Sequence, residues 1–121
     1  MLFIRVSNDR QQDRFEHDTG PLEFGRGPQR EQKRCVVDDA FFSRDQLRIL
    51  ELADNRIRLE NLSHKNALSL SNGRSLPVGG KLDVDAPVTL SLGKTLIEVI
   101  GSATEPAAPV DQAALMTINQ P

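Results

Sequence analysis

Asp38-Asp39-Ala40-Phe41-Phe42-Ser43-Arg44-Asp45-Gln46-Leu47, in one-letter form DDAFFSRDQL, is the stretch on which the reading of the fold turns. Two aromatics and a polar Ser-Arg pair run directly into a segment that alternates like a strand. A pair suited to binding an anion is therefore held at a strand entrance. The strand it enters, 46–52, pairs with 56–61 across the turn Ala53-Asp54-Asn55. In the second arm Ile57 and Leu59 alternate with Arg56, Arg58 and Glu60, the period of two of a half-buried antiparallel hairpin.

Working outward, the same pattern repeats. A second hairpin joins 68–71 to 74–76 through Asn72-Gly73, whose access to positive φ suits a type I′ turn. A third joins 88–92 to 95–100 across Gly93-Lys94. Upstream, 2–6 and 22–24 read as strands, Cys35, Val36 and Val37 lie in another, and the charged segment 7–20 reads as a turn or loop. Glycine, proline and charge make 27–34 a loop by composition, with Arg30, Lys33 and Arg34 as solvated charge or as a secondary electrostatic rim. Short strands with regular turn signals predict an all-β, twisted sandwich of about ten or eleven mostly antiparallel strands. After Gly101 the Pro- and Ala-rich run SATEPAAP begins a linker or tail, 102–121, expected to lead into a further domain.

Composition narrows the function. A formal charge of −2 and the absence of Trp and Tyr argue against binding to nucleic acid, which needs basic faces or stacking platforms. The lone cysteine, Cys35, has no partner for an internal disulfide and reads as a small buried hydrophobe. The first residues lack the long apolar core and cleavage site of a secretory leader, and no run reaches the ~20 apolar residues of a membrane span, so a cytoplasmic location is expected. Gly93-Lys94-Thr95 resembles the end of a P-loop, but Val88 stands where its first glycine belongs. Gly25-Arg26-Gly27 starts like a dinucleotide fingerprint, but Arg30 replaces the third glycine. With no nucleophile elbow, acid/base pair or metal spacing, neither an enzyme nor a metal or cofactor site is expected.

Two further pieces accompany the Ser-Arg pair: Gly25-Arg26 upstream and Asn61-Leu62-Ser63-His64-Lys65-Asn66 downstream. Each alone is common and fits a solvated turn. In this order, over roughly residues 1–101, they resemble the forkhead-associated (FHA) domain, a β-sandwich whose loops at one end bind phosphothreonine. The resemblance implies a phosphopeptide site of Arg26, Ser43, Arg44, Lys65 and Asn66, supported by Gly25, Gln46 and Ser63. A guanidinium at Arg26 offers planar donors for two phosphate oxygens, and the glycine before it lets the backbone turn sharply. Ser43 would donate its hydroxyl, with Arg44 adding charge or supporting the loop. Lys65 would contact phosphate, and Asn66 the peptide main chain. Gln46 stands where the family usually has a bracing His, and its amide offers both a donor and an acceptor. Ala67-Leu68 replaces the usual Gly-Thr, Asn61 replaces Asp, and His64 reads as surface.

The function expected is phosphothreonine-dependent protein–protein interaction in Ser/Thr-kinase signalling of a bacterial kind, recruiting or regulating an attached output domain. The alternative is a phospho-independent scaffold of the same fold, which docks a neighbouring domain or oligomerises.

Overall fold

Alternating burial builds the frame of the computed structural model, which describes residues 1–29, 33–53 and 55–101. In β1 (Leu2–Ser7) the side chains of Leu2, Ile4 and Val6 point inward, and β11 (Thr95–Gly101) does the same with Ile97 and Val99. The two pair antiparallel, placing Ile4 opposite Val99 and Val6 opposite Ile97. Around them lie β2 (Gln12–His17), β10 (Val88–Leu92), β7 (Leu68–Leu70) and β8 (Ser75–Leu76), giving a six-stranded sheet in the order β2-β1-β11-β10-β7-β8. The second sheet has β3 (Leu22–Gly25), β4 (Arg34–Val36), β5 (Leu47–Ala53), β6 (Arg56–Asn61) and β9 (Lys81–Asp85), in the order β4-β3-β5-β6-β9. Every pairing is antiparallel except β3 with β4. The inner faces close on one aliphatic core with Phe24 and Phe42 as its largest members.

Three readings of the sequence are corrected. The segment 7–20 contains β2, which burial patterning conceals because Phe15 is its only apolar residue; an edge strand covers only the rim of the core and tolerates polar neighbours. Asn8 shapes the turn before it, its Oδ1 accepting from the amides of Arg10 at 2.7 Å and Gln11 at 2.9 Å. β9, an edge of the second sheet, leaves as weak a signal in the sequence, with only Leu82 and Val84 facing in. The Asn72-Gly73 turn has positive φ at Gly73 alone, so it is not type I′. Leu70 O accepts from Gly73 N and Leu70 N donates to Arg74 O, a three-residue loop closed by a left-handed glycine.

Cys35 is buried, and burial, followed by the charge of Asp13, pushes its thiol pKa up to about 12. Among the described residues no helix is long and apolar enough to cross a membrane. The segment 102–121 and Arg30 lie outside the described residues.

Candidate functional site

The connection from β4 to β5 is pinned at both ends before it presents any side chain. Phe42 is sunk in the core, 1% exposed. Asp39 ties the same loop to the β10–β11 turn, accepting from Phe41 N at 2.9 Å, Lys94 N at 2.9 Å and Thr95 Oγ1 at 2.7 Å. Burial pushes the Asp39 carboxyl up, but these three hydrogen bonds and the Lys94 charge outweigh it and hold it below its ordinary value.

The loop then docks on the end of β3. Arg26 N donates to Ser43 O at 3.0 Å, Gly27 N to Arg44 O at 3.1 Å and Gln46 N to Phe24 O at 3.0 Å. Gly25 is needed for space and not for a sharp turn, because its φ is ordinary while a Cβ would sit 2.0 Å from Arg44 O. Arg34 corrects the reading of 27–34 as a loop of solvated charge: it opens β4 and is buried. Its side chain is 1% exposed, donates to Arg44 O, and bridges Glu23 (2.9 Å) and Asp45. A buried guanidinium needs such fixed acceptors to offset its lost hydration. Here it clamps the Gly25-Arg26 turn to the Ser43-Arg44-Asp45 turn.

Gln46, fully buried, joins this loop to the connection from β6 to β7. Its Oε1 accepts from Ser43 N at 2.9 Å, and its Nε2 donates to Asn61 Oδ1 at 3.1 Å and to Asn66 O at 3.2 Å. Asn61 completes the brace, donating to Asn66 O at 2.8 Å and Leu76 O at 3.1 Å and accepting from Ser63 N at 3.0 Å. Ser63 Oγ accepts from the amides of Lys65 at 2.9 Å and Asn66 at 3.1 Å, which occupies both lone pairs. Its own hydrogen is therefore assigned to Ser43 Oγ, 2.7 Å away. Ser43 Oγ receives that bond, and its own hydrogen is left to donate outward.

These loops enclose one shallow depression lined by Arg26, Phe41, Ser43, Arg44, His64, Lys65 and Asn66, among others. Arg26 Nε donates to Phe42 O at 2.5 Å, which orients the guanidinium; neither Nη makes a hydrogen bond among the described residues. Arg44 and Lys65 are exposed, and neither side chain has an ion pair among them. Among the described residues lining the depression the one acid, Asp45, is paired with Arg34. The basin is thus basic, with its free donors facing solvent.

No protein-family model matches the chain, and no curated protein matches it in sequence. Solved structures do match over most of its length. The FHA domain of the CT664 protein from Chlamydia trachomatis is 23% identical with a TM-score of 0.67, covering 82% of this chain and 95% of that one. The chain has the FHA fold. The N-terminal FHA domain of Rad53p from S. cerevisiae, solved with a phosphothreonine peptide, is 16% identical with a TM-score of 0.60, covering 84% of this chain and 94% of that one. The FhaA FHA domain, complexed with the intracellular domain of Rv3910, is 18% identical with a TM-score of 0.61, covering 82% and 99%.

Within this FHA fold, all five expected binding residues line one depression, Ser63 lines it with them, and Gly25 and Gln46 are buried. Asn66 differs in detail: its Nδ2 already donates to Phe41 O at 2.6 Å, leaving Oδ1 and the second amide hydrogen. Sequence reasoning missed Arg34, Asp39 and Asn61 as supports. Asn61 carried a signal, an amide three residues before His64 in the lead-in to the loop; the partners of Arg34, and Lys94 and Thr95 on Asp39, are too distant in sequence to leave one.

Proposed function

We propose that this chain is a phosphothreonine-dependent protein–protein interaction module and not an enzyme. A single arrangement carries the reading: Ser43, whose hydroxyl hydrogen is assigned outward, and the Nη groups of Arg26, which make no hydrogen bond among the described residues, share one basin, and the loops that hold them are locked by buried hydrogen bonds. Phosphothreonine brings about −1.5 to −2 charges and three acceptor oxygens. Arg26 would take two of them in a planar fork, Ser43 one by its hydroxyl, and Lys65 and Arg44 would add charge. Asn66 Oδ1 would accept from the peptide backbone, while Gly25, Gln46 and Ser63 hold the loops. A methyl-sized niche would favour threonine over serine. Charge-assisted hydrogen bonds worth roughly 1.5–3 kcal/mol each separate phosphorylated from unphosphorylated partner by about tenfold or more per bond.

On this reading residues 1–101 form the recognition domain and 102–121 tether it to an output domain. It acts in Ser/Thr-kinase signalling, which we place in a bacterial cytoplasm. The phospho-independent scaffold draws its support from Ala67-Leu68, which stands where the family has Gly-Thr. Calorimetry with a peptide selected from a phosphothreonine library separates the two. Arg26→Ala should weaken binding by roughly 1.5–3 kcal/mol without unfolding the domain; equal affinity for the phosphorylated and unphosphorylated peptides would leave the scaffold.

A further inference from the structure

The outer faces of the two sheets differ. On β5, β6 and β9 the outward side chains pair as ions across the strands, Arg48 with Glu60, Arg58 with Asp83 and Arg56 with Asp85. Covering such a face would strip water from every pair. On the central strands β1 and β11 of the other sheet the outward ion pair is Arg5 with Glu98, and apolar side chains flank it. Leu96 is 45% exposed, and Phe3 and Ile100 are half-buried.

The register sets these groups in three rows: Phe3 lies beside Ile100, Arg5 beside Glu98, and Ser7 beside Leu96. Each row holds a matching couple, two apolar groups, two opposite charges, or one small group and one large. A second copy can lie face to face about a two-fold axis that runs along the strands between β1 and β11. Each β1 then covers the other copy's β11, the self-complementary contact that a two-fold requires. Phe3 meets Ile100, Arg5 meets Glu98, and Leu96 fits over the small Ser7, each contact made twice. An axis across the strands, through the Arg5–Glu98 row, would instead set Arg5 on Arg5 and Glu98 on Glu98. Charge selects the first arrangement.

We propose that the chain forms a weak two-fold dimer through the outer face of β1 and β11, with both phosphothreonine basins at the same end. An axis along the strands leaves the loop ends of both copies pointing the same way. Layers stacked about 10 Å apart put the two basins about 20 Å from each other. The pair would read a partner phosphorylated at two threonines. The dimer stands on this face alone, whereas the bivalence rests on the phosphopeptide reading. Three rows across four strands cover about 20 Å by 20 Å per copy. That is smaller than the ~800 Å² per partner of a standard interface, so self-association should have a Kd of about 10–100 µM.

Sedimentation equilibrium of the whole chain, at concentrations spanning that Kd, tests the dimer. Leu96→Asp, Arg5→Glu and Glu98→Arg should each weaken it by at least about tenfold. An equal mixture of Arg5→Glu and Glu98→Arg should dimerise again, because each reversed charge meets its opposite on the other chain. Loss of the pair within one chain could not produce that rescue. A peptide with two phosphothreonines about 12 flexible residues apart spans ~20 Å. It should hold two wild-type chains at least about tenfold more tightly than two Leu96→Asp chains. A monomeric wild type, a dimer indifferent to all three variants, or a mixture that stays monomeric would overturn the dimer. If the dimer forms but the phosphopeptide does not bind, the phosphopeptide reading falls and the interface stands. If the peptide binds both proteins equally tightly, the placing of both basins at one end is overturned.

Discussion

Replacing Gln46 tests whether buried hydrogen bonds hold the binding loops, because its three side-chain partners lose different amounts. In Gln46→Ala, Asn61 Oδ1 still accepts from Ser63 N, and Asn66 O still accepts from Asn61 Nδ2. Ser43 N alone loses its side-chain acceptor. One stranded donor costs about 1–3 kcal/mol, and the lost buried methylene about 0.8 kcal/mol more. The total, about 2–4 kcal/mol, leaves a typical domain folded. Urea denaturation should show it as a lower midpoint at unchanged slope. Phosphopeptide affinity should fall too, by less than in Arg26→Ala, since the loss acts through loop order. Gln46→His retains an acceptor for Ser43 N and one donor, so it should cost less than alanine and preserve binding. Gln46→Glu is the sharper variant. One oxygen still takes the Ser43 amide, but the other faces two acceptors, so the buried carboxyl must keep a proton and its folded pKa rises above the unfolded value of about 4.3. Stability of Gln46→Glu relative to wild type is therefore highest below that value and declines as pH rises toward the folded pKa. A Gln46→Glu protein matching wild type at neutral pH, with no relative pH dependence, would refute the assigned network.

Arg34→Met should destabilise the domain, but by less than the about 3–5 kcal/mol of an uncompensated buried charge, because Glu23 keeps Arg48 at 3.0 Å; chemical denaturation reads this, and Arg34→Lys should not restore the forked contacts. The depressed Asp39 carboxyl contributes stability that is fully present above its unfolded pKa of 3.8 and lost as pH falls through the lower folded value. Acid titration of Asp39→Asn should lack that component while showing lower stability at neutral pH. Cys35, with its thiol pushed up to about 12, should resist thiol reagents at pH 8 in the folded protein and react quickly in denaturant.

The hairpins were legible because each carries its own local signal: Ile57 and Leu59 alternate with charge, and glycines mark the turns at Gly73 and Gly93. β2 and β9 left almost none, since an edge strand buries only one or two side chains, and Phe15 or Leu82 with Val84 cannot be told from loop hydrophobes. The parallel pairing of β3 with β4 depends on contacts across a connection and has no periodicity of its own. At the site, Arg26, Ser43 and Asn66 were readable by order and spacing. Arg34 resembled any loop cation, because its burial depends on Glu23 and Asp45, each eleven residues away in sequence. Gly25 was read for backbone freedom, although the close approach of the Arg44 carbonyl is what excludes a side chain there. Such steric reasons become visible only when the two loops are seen together.

Phosphate recognition by Arg26 and Ser43 is tested most directly by amide NMR of the isotopically labelled protein, titrated with a phosphothreonine peptide and then with its threonine twin. Phosphopeptide should shift the amides of residues 25–27, 43–46 and 63–66, together with the Arg26 side chain, and the threonine twin should leave them in place. Shifts centred instead on the opposite end of the sandwich, near Met1, Leu52 and Ala86, or equal shifts from both peptides, would contradict the account.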